Sequence, residues 1–276
     1  MKFNEGLRLH FLPLEIPALI MAVLCTYWCG VRGWVCIPVF IGSWLGWFLT
    51  FLIAFFVGAF LISLTYGTKG EAPKEDHPAA RRTVVWVIGF LCRLAFLRLK
   101  VTGREKLPQG RFLLVGNHRS NYDPIVAVWA LRHTQLSFIT KPENLKIPLA
   151  GPFIYRSNFL PIDRENPREA MKTINAAAEL IENDVCSVGV YPEGTRSKTD
   201  EMLPFHNGVF KIAKKAGVPV VVAVTRGAEN ISKNMFRRPT KVEMDICHVF
   251  SAEEVAEKTS AAISRETEEI LKAALS

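Results

Sequence analysis

The sequence predicts an α/β fold, a sheet covered by helices, attached to an N-terminal membrane anchor of two hydrophobic helices. Three observations predict it. A long apolar run occupies the first quarter of the chain, a polar segment follows it, and helix and strand patterns then alternate to the end. Alternation of this kind is typical of a sheet with helices packed on it. We therefore expect an anchor over residues 1–68, a linker with an interfacial helix over 69–98, and a cytoplasmic α/β domain over 99–276.

The apolar run predicts the anchor. Between Ile16 and Thr68 the only formally charged side chain is Arg32. Because crossing a bilayer takes roughly 20 apolar residues, the run has room for two spans joined by a turn at Cys29–Gly33. A single long span and a hairpin that dips into one leaflet remain alternatives. The run is too long for a secretory signal peptide.

The basic residues around the run predict its orientation. The connection between the two expected spans carries only Arg32, whereas basic side chains stand on both flanks. Basic residues concentrate on the cytoplasmic side of membrane segments. We therefore expect a cell-membrane protein whose α/β domain faces the cytoplasm. The flanking residues are Lys2 and Arg8 before the run and Lys69, Lys74, Arg81, Arg82, Arg93, Arg98 and Lys100 after it.

Charge and cysteine content narrow the choice of partners. The formal net charge is +8, which favours anionic partners. No nucleic-acid-binding motif is present, so with an anchor in the chain the expected partners are membrane lipids rather than nucleic acid. None of the six cysteines forms a Cys-x-x-Cys pair, and this pattern fits a reducing cytoplasm. The oligomeric state is left open.

The segment after the anchor predicts a linker and then a short helix. Gly67–Pro78 is rich in charge, glycine and proline, as linkers are. Thr83–Leu97 is apolar but, at about 15 residues, short for a span. With arginines on both flanks it is interpreted as an interfacial helix. A buried helix of the α/β domain is an equal alternative.

The remaining elements are predicted from periodicity and caps. Asn166 before Pro167 is expected to cap a long helix, and Gly217 is expected to end a short one. The predicted strands are Phe112–Val115, Leu136–Thr140, Val185–Tyr191, Val218–Val224 and Lys241–Val249. The predicted helices are Pro124–Arg132, Pro167–Asn183, Gly208–Ala216 and Ala252–Leu275.

The first candidate for chemistry is the segment from Gly116 to Pro124, between a predicted strand and a predicted helix. It contains His118 and, five residues later, Asp123. A carboxylate beside an imidazole fixes its tautomer and stabilises the imidazolium, which makes the pair a candidate general base. The structural alternative is that Asp123 merely caps the following helix and His118 has no chemical role.

The second and third candidates supply cations. Tyr191–Lys198 follows a predicted strand, and Arg196 in it offers a planar fork that suits phosphate oxygens, with Thr195, Ser197 and Lys198 as further donors. Phe159–Arg164 delivers an Asp-Arg pair into a loop, and Lys141 is one more cation. The alternative in each case is a solvated loop with a surface ion pair that stabilises little.

Together these segments resemble the four motifs of the glycerolipid acyltransferases. Asn117–Asp123 resembles their His-x4-Asp motif, Phe159–Arg164 their second motif, Glu193–Arg196 their third, and Gly217–Ala223 their fourth, in the family's order and spacing. The best match is to the PlsC-type 1-acyl-sn-glycerol-3-phosphate acyltransferases. One departure is Ala223, where the family often has a second proline, which puts acyl-chain or acceptor preference in question.

The resemblance implies roles for individual residues. His118 would deprotonate the sn-2 hydroxyl of lysophosphatidic acid, Asp123 would orient it, and the alkoxide would attack the thioester of acyl-CoA or acyl carrier protein. Neither a metal nor a cofactor is expected. The residues implied to bind the acceptor phosphate are Glu193, Gly194, Thr195, Arg196 and Arg164, with Glu193 and Gly194 shaping the loop that carries Arg196. Those implied to support the site are Asn117, Ser120, Lys141 and Pro219, the last also in the acyl pocket.

Three other interpretations stay open at the level of sequence. An acyltransferase of the same family could act on glycerol 3-phosphate or another lyso-lipid. A lipid-binding or scaffolding protein would have no need of the His118–Asp123 pair. A hydrolase would use His118 as a metal ligand, or Ser120 or Cys186 as nucleophile, but no Gly-x-Ser-x-Gly motif surrounds Ser120 and the other histidines lack ligand spacing.

Overall fold

The computed structural model describes residues 12–67, 73–197, 199 and 201–276. The chain divides into two compact units, Met1–Gly67 and Thr68–Ser276. Four of the basic residues on which the predictions drew, Lys2, Arg8, Lys69 and Lys198, lie outside the described residues.

The first unit is a pair of apolar helices. Helix α1 spans Leu12–Trp28, a 3₁₀ turn spans Gly33–Val35, and α2 spans Cys36–Ser63. The connection lies where the sequence predicts it, because Gly30 and Gly33 both adopt positive φ there. The indole Nε1 of Trp47 on α2 donates to Sγ of Cys25 on α1 at 3.3 Å.

Only one of the two predicted spans meets the length and composition needed to cross a membrane. The continuous helical segment Gly33–Ser63 has 31 residues and passes. Within the described residues α1 has 17 and contains Pro17, so it falls short of the roughly 20 residues that a span needs. Two apolar helices are therefore present, and the second carries the case for membrane insertion.

The second unit is built on a seven-stranded sheet with the order β1-β7-β6-β2-β5-β3-β4. Strands β2 to β6 run parallel to one another, whereas β7 pairs antiparallel with β6, and β1 pairs parallel with β7. The strands are β1 Leu97–Thr102, β2 Leu113–Gly116, β3 Leu136–Thr140, β4 Leu160–Pro161, β5 Ser187–Val190, β6 Val220–Arg226 and β7 Thr240–Phe250.

This topology defines two edges of the sheet. Strands β2 to β6 all end at one edge, which we call the upper edge, and β1 and β7 begin there. In open α/β sheets, the carboxyl ends of parallel strands are where ligands bind. The loops that follow β2, β5, β3 and β4 are therefore neighbours at the upper edge.

Helices cover the sheet. They are α3 Pro78–Leu94, α4 Asp123–Ala130, α5 Ala150–Arg156, α6 Pro167–Glu182, α7 Lys211–Ala216, α8 Ile231–Asn234, α9 Ala252–Glu257 and α10 Ser260–Leu275. The core between helices and sheet is dominated by valine, isoleucine and leucine, and includes Val115, Val188, Val222 and Phe210 at no more than 2% exposure. The predicted α/β fold class is thus confirmed. Asn166 also caps α6 as predicted, its side chain accepting from the backbone N–H groups of Arg168 and Glu169.

Three predictions of secondary structure were incomplete. Strand β1 and helix α5 were not predicted, since β1 directly follows an apolar helix and α5 contains Gly151 and Pro152. The predicted terminal helix Ala252–Leu275 is in fact two helices. It breaks at Lys258, and Thr259 caps the second helix by accepting from the N–H of Ala262.

The predicted interfacial helix is a helix of the α/β unit. Helix α3 begins at Pro78, five residues before the predicted start, and Leu97 already belongs to β1. One face of α3 is buried, including Arg81, Val84 and Ile88. Arg81 donates from Nε to Asp76 at 2.7 Å and from Nη2 to Asn158 at 3.0 Å. This face fits the alternative of a packed helix, while Leu91 and Leu94 at its end are exposed.

Candidate active site

The His118–Asp123 pair forms at the upper edge, directly after β2. Nδ1 of His118 lies 2.9 Å from Oδ2 of Asp123. The same oxygen accepts from the backbone N–H groups of Arg119 at 2.8 Å and Ser120 at 2.7 Å. The Asp123 side chain is 1% exposed, whereas that of His118 is 16% exposed. The carboxylate is thus held from three directions, and the ring it contacts is still accessible.

Asp123 does not cap helix α4. It is the first helical residue, with Tyr122 at the cap position and no side-chain cap bond there. Its carboxylate turns back toward the loop that precedes the helix and binds the N–H groups of that loop. The sequence alternative of a simple helix cap is therefore wrong, and the carboxylate orients His118. With Nδ1 turned to the carboxylate, Nε2 is the nitrogen left for a substrate hydroxyl.

An aromatic column supports the imidazole from inside the domain. The ring of His118 stacks on Tyr191, with centroids 4.4 Å apart and planes 11° apart. Tyr191 stacks in turn on Phe138, at 5.4 Å and 14°. Burial, with a further contribution from Asp123, raises the pKa of the Tyr191 phenol well above its ordinary value, so this ring stays neutral. The histidine is therefore fixed by a carboxylate at its edge and by aromatic packing on its face.

Glu193 ties the second loop to the first. Its Oε1 accepts from the backbone N–H of His118 at 2.7 Å, and its Oε2 accepts from the N–H of Leu203 at 2.9 Å. The residue is 3% exposed, and burial raises the pKa of its carboxyl group. The N–H of Ser197 donates to the carbonyl of His118 at 2.9 Å, which adds a second tie.

These contacts argue against the phosphate-binding role that the resemblance implied for Glu193. A buried carboxylate that accepts two backbone N–H bonds has both oxygens occupied, and its negative charge repels a phosphate. Glu193 holds the loop after β5 against the loop after β2, in keeping with the loop-shaping role that the resemblance also implied for it.

Asn117 and Ser120 are buried, and their side chains bind the backbone at the end of β6 and just after it. Asn117 exchanges two hydrogen bonds with the backbone of Thr225, at 2.8 and 3.0 Å, and so continues the pairing of β2 with β6. The Ser120 hydroxyl donates to the carbonyl of Ala228 at 2.9 Å and accepts from the N–H of Tyr122.

Neither candidate nucleophile of the hydrolase interpretation is suited to that role. Ser120 is 6% exposed and its hydroxyl is bound on both sides. Cys186 is fully buried, and burial raises the pKa of its thiol. Among the described residues, no group of three or more His, Cys, Asp or Glu side chains is arranged to hold a metal ion.

Three cations follow three strands that end at the upper edge. Lys141 follows β3, Arg164 follows β4, and Arg196 follows β5, and all three are exposed. Partial burial lowers the pKa of Arg164 from its ordinary value. Asp163, expected to pair with Arg164, instead accepts from the N–H of Glu165. The order β2-β5-β3-β4 places Arg196 on the loop next to the histidine loop, and Lys141 and Arg164 on the second and third loops along the same edge.

The Gly194–Thr195 turn carries Arg196 outward. Gly194 has φ +70°, a left-handed conformation that favours glycine. A Cβ at this position would lie 3.0 Å from the ring of His206, so this imidazole contacts the turn. Thr195 is exposed beside Arg196. Sequence reasoning set His206 aside as one of several scattered histidines. The one signal that could have singled it out is its place in the same connection between β5 and β6.

Pro219 does not join the site. Its carbonyl accepts from the N–H of Leu113 at 3.0 Å, where β6 and β2 begin to pair. The two strands run parallel toward the upper edge, so Pro219 lies at the opposite edge from His118. Pro219 therefore makes no direct contact with His118, and its implied role in forming the acyl pocket or supporting the site stays a prediction.

Comparisons with known proteins agree with this geometry. Residues 98–226 match the family model described as Acyltransferase. A 1-acyl-sn-glycerol-3-phosphate acyltransferase of Haemophilus influenzae is 32% identical over 131 residues, which are 46% of this chain and 54% of that protein. A protein of the same name from Saccharomyces cerevisiae is 31% identical over 138 residues, 49% of this chain and 45% of that protein. The chain thus spans about half the length of the curated relatives it matches.

A solved structure resembles the whole chain. It is the 1-acyl-sn-glycerophosphate acyltransferase PlsC of Thermotoga maritima, with a TM-score of 0.60 over 95% of this chain and 96% of that one. The identity is 24%, so the likeness speaks for the fold. The matched segment 98–226 contains every loop described above at the upper edge. Through that segment, a little under half of the chain, this protein is similar to the acyltransferase family.

Proposed function

We propose that this protein transfers a fatty acyl group from acyl-CoA or acyl carrier protein to the sn-2 hydroxyl of 1-acyl-sn-glycerol 3-phosphate, which makes phosphatidic acid. The single observation that carries the proposal is the oriented His118–Asp123 pair, 2.9 Å apart, at the sheet edge where the exposed Arg196 and Arg164 also lie. It supplies a base for an alcohol and cations for a phosphate at one edge of one sheet. The names of the matched relatives support the same acceptor.

His118 carries the proton in the proposed reaction. Nε2 removes the proton of the acceptor hydroxyl as its oxygen attacks the thioester carbonyl, and the charge that develops on the ring is stabilised by Asp123. Collapse of the tetrahedral intermediate breaks the carbon–sulfur bond, and the imidazolium returns the proton to the departing thiolate. One ester forms, one thioester is lost, and the histidine ends neutral. A thioester is already activated, so positioning the two substrates and moving one proton is most of the task.

The cations bind the acceptor phosphate in this proposal. Arg196 offers two parallel N–H donors to phosphate oxygens, and Lys141 and Arg164 add positive charge on the next two loops along the same edge. Thr195 can donate its hydroxyl beside Arg196. The reaction as proposed uses neither a cofactor nor a metal, since the histidine and these cations supply the proton transfer and the charge. The carrier group of the donor is a co-substrate.

The proposed site of action is the cytoplasmic side of the cell membrane. A lysophospholipid resides in a bilayer, and the helix over Gly33–Ser63 is long and apolar enough to hold the protein there. The basic side chains after this helix favour a cytoplasmic α/β unit.

A donor-by-acceptor assay tests the function. Purified full-length protein in detergent is given radiolabelled acyl-CoA or acyl carrier protein together with lysophosphatidic acid, glycerol 3-phosphate or lysophosphatidylcholine. We expect labelled phosphatidic acid with the first acceptor and at least about tenfold less product with the others, because a tenfold preference corresponds to only about 1.4 kcal/mol. Equal turnover of the phosphocholine acceptor would overturn the phosphate assignment, and faster turnover of glycerol 3-phosphate would reassign the acceptor.

A further inference from the structure

The α/β unit has an exposed apolar surface of its own at the upper edge. Four of the six large apolar side chains that are exposed in its described residues lie there. They are Leu91 and Leu94 at the end of α3, Phe96 between α3 and β1, and Phe236 in the connection between β6 and β7, which are 44–65% exposed. We call these four residues the edge patch. Contiguous exposed apolar surface on a folded unit marks a contact with a partner or a membrane.

Sheet pairing brings the two halves of the edge patch together. Leu97, next to Phe96, pairs with Thr240, which lies four residues after Phe236. The N–H of Thr240 donates to the carbonyl of Phe96 at 3.3 Å. Both phenylalanines adopt positive φ, 49° for Phe96 and 61° for Phe236, in tight turns. A bulky residue rarely occupies this backbone region, so each aromatic ring is held outward at a local cost in strain.

Hydrogen bonds fix the two turns that carry Phe236 and Phe96. The N–H groups of Arg237 and Arg238 both donate to the carbonyl of Asn234, and Nε of Arg238 donates to the side-chain oxygen of Asn234 at 2.8 Å. In the turn between α3 and β1, the N–H of Phe96 donates to the carbonyl of Arg93 at 2.9 Å. Two hydrogen-bonded turns that present phenylalanine to solvent are therefore in place without any partner.

The charge around the edge patch has one sign. Residues 91–100 and 233–241 contain no aspartate or glutamate. Their basic residues are Arg93, Arg98, Lys100, Lys233, Arg237, Arg238 and Lys241. The nearest carboxylates along the chain lie just outside these segments: Glu243 is 3.9 Å from Lys100, one of these cations, and Glu229 accepts from Asn230. Exposed apolar side chains on segments that carry only basic residues are complementary to an anionic lipid surface, with the aromatic side chains among the acyl chains and the cations at the headgroups.

We infer that the edge patch docks the α/β unit directly on an anionic bilayer, as a second membrane contact in addition to the apolar helices of the first unit. The patch lies at the edge that carries His118 and Arg196, so docking sets the candidate site at the headgroup level. The binding itself does not depend on the proposed reaction. The consequence for acceptor access does rest on the proposed function.

Photo-crosslinking of the full-length protein tests the docking without a need for activity. Phe96 or Phe236 is replaced by p-benzoylphenylalanine, a phenylalanine analogue, and the protein is reconstituted in nanodiscs with or without 30% phosphatidylglycerol. The matched control places the same analogue at Met171, an exposed apolar residue on α6. We expect lipid adducts at 96 and 236, several-fold more with phosphatidylglycerol, and few at 171.

Other adducts would overturn the inference. Crosslinks from 96 and 236 into residues 12–67 would show that the chain's own helices cover the patch. Crosslinks to added acyl carrier protein, an acidic partner, would assign the patch to a protein instead. Equal lipid adducts at 171 would show that the labelling has no surface preference.

A kinetic arm links the patch to the candidate site. The double variant Phe96→Ser/Phe236→Ser is compared with Met171→Ser on lysophosphatidic acid within vesicles and on a short-chain, water-soluble analogue. We expect the double variant to lose about fivefold or more in rate on vesicles and less than twofold on the soluble acceptor, with an unchanged thermal unfolding midpoint. An equal loss on both acceptors would contradict docking, and absence of turnover by the wild type would contradict the function while leaving the crosslinking result intact.

Discussion

The buried carboxylates of Asp123 and Glu193 differ from the exposed cations of the upper edge in the number of hydrogen bonds that their side chains make. We call these cations, Lys141, Arg164 and Arg196, the rim. In the loops, the carboxylates of Asp123 and Glu193 accept five contacts in all from backbone N–H groups and the imidazole. On the rim, Lys141 and Arg196 are exposed and, within the described part of the chain, make no side-chain hydrogen bond or ion pair.

This difference separates two tasks. The proposed proton transfer needs a fixed geometry, and the hydrogen bonds around His118 and Asp123 provide one. A cation that is to bind phosphate gains most when its donors are still available, since an internal ion pair would have to be broken first. Changes in the loops should therefore lower kcat, whereas changes on the rim should mainly raise KM.

The largest effect is expected from His118→Ala. Removal of the base should lower kcat by about 10² to 10⁴, with little change in KM, because a positioned general base contributes a factor of that order. Steady-state rates with lysophosphatidic acid measure it, and an unchanged circular dichroism melting curve shows that the fold is intact. Wild-type activity in this variant would refute the assignment of the base.

Arg196→Ala should weaken acceptor binding. Hydrogen bonds to a charged group contribute about 1.5–3 kcal/mol, so kcat/KM should fall about 10- to 100-fold, mostly through KM. Arg196→Lys should recover only part of the loss, because lysine lacks the planar fork. Arg265→Ala, which removes an exposed arginine on α10, is the control. A fall in kcat at constant KM would mean that Arg196 acts in the chemical step. It would contradict the separation of proton transfer in the loops from phosphate binding by the cations.

Glu193→Gln tests the tie between the loops. Glutamine offers one acceptor oxygen, so one of the two backbone N–H groups would face an N–H group and lose its bond. An unsatisfied buried donor costs about 1–3 kcal/mol, and the free energy of unfolding should fall by that amount. We also expect kcat to fall about tenfold, because the His118 backbone loses its anchor. A change confined to KM would restore the phosphate-binding role.

The contacts that the sequence predicted correctly are those that a local pattern determines. His118 lies in the loop after β2 and Asp123, five positions later, begins α4, and the turn between them brings their side chains into contact. Asn166 before Pro167 caps its own helix. Strand β3 was predicted at its exact bounds, since turn residues stand on both sides of it.

The features that the sequence could not show depend on distant strands. Pro219 belongs to the segment that resembles the fourth motif, but register alone decides that it lies at the edge opposite to His118. The stacking of Tyr191 on His118 needs the pairing of β2 with β5. Strand β1 was hidden because its pairing partner, β7, follows nearly 140 residues later.

Tyr191 offers a finer test of the fixed geometry. Tyr191→Phe keeps the ring that stacks on His118 and should retain activity within about twofold. Tyr191→Leu removes the stacking, which in aromatic pairs is worth about 0.5–1.5 kcal/mol, so kcat should fall roughly 3- to 10-fold with KM nearly constant. Phe112→Leu, a buried aromatic at the amino end of β2, matches the loss of volume away from the site. Equal losses in both leucine variants would reduce the role of Tyr191 to general packing.

The smallest effect is expected at Pro219. Its carbonyl accepts from the N–H of Leu113, and alanine presents the same carbonyl, so Pro219→Ala preserves the contact that the structure shows. The residue lies at the edge opposite to His118, and the variant should keep kcat and KM within about twofold. Its cost should appear in thermal unfolding instead, because alanine leaves the unfolded chain freer, an effect of about 0.4–1 kcal/mol. A tenfold loss of kcat/KM with a normal melting curve would mean that the start of β6 affects catalysis at the upper edge. A third region, besides the fixed loops and the exposed cations, would then contribute to the reaction.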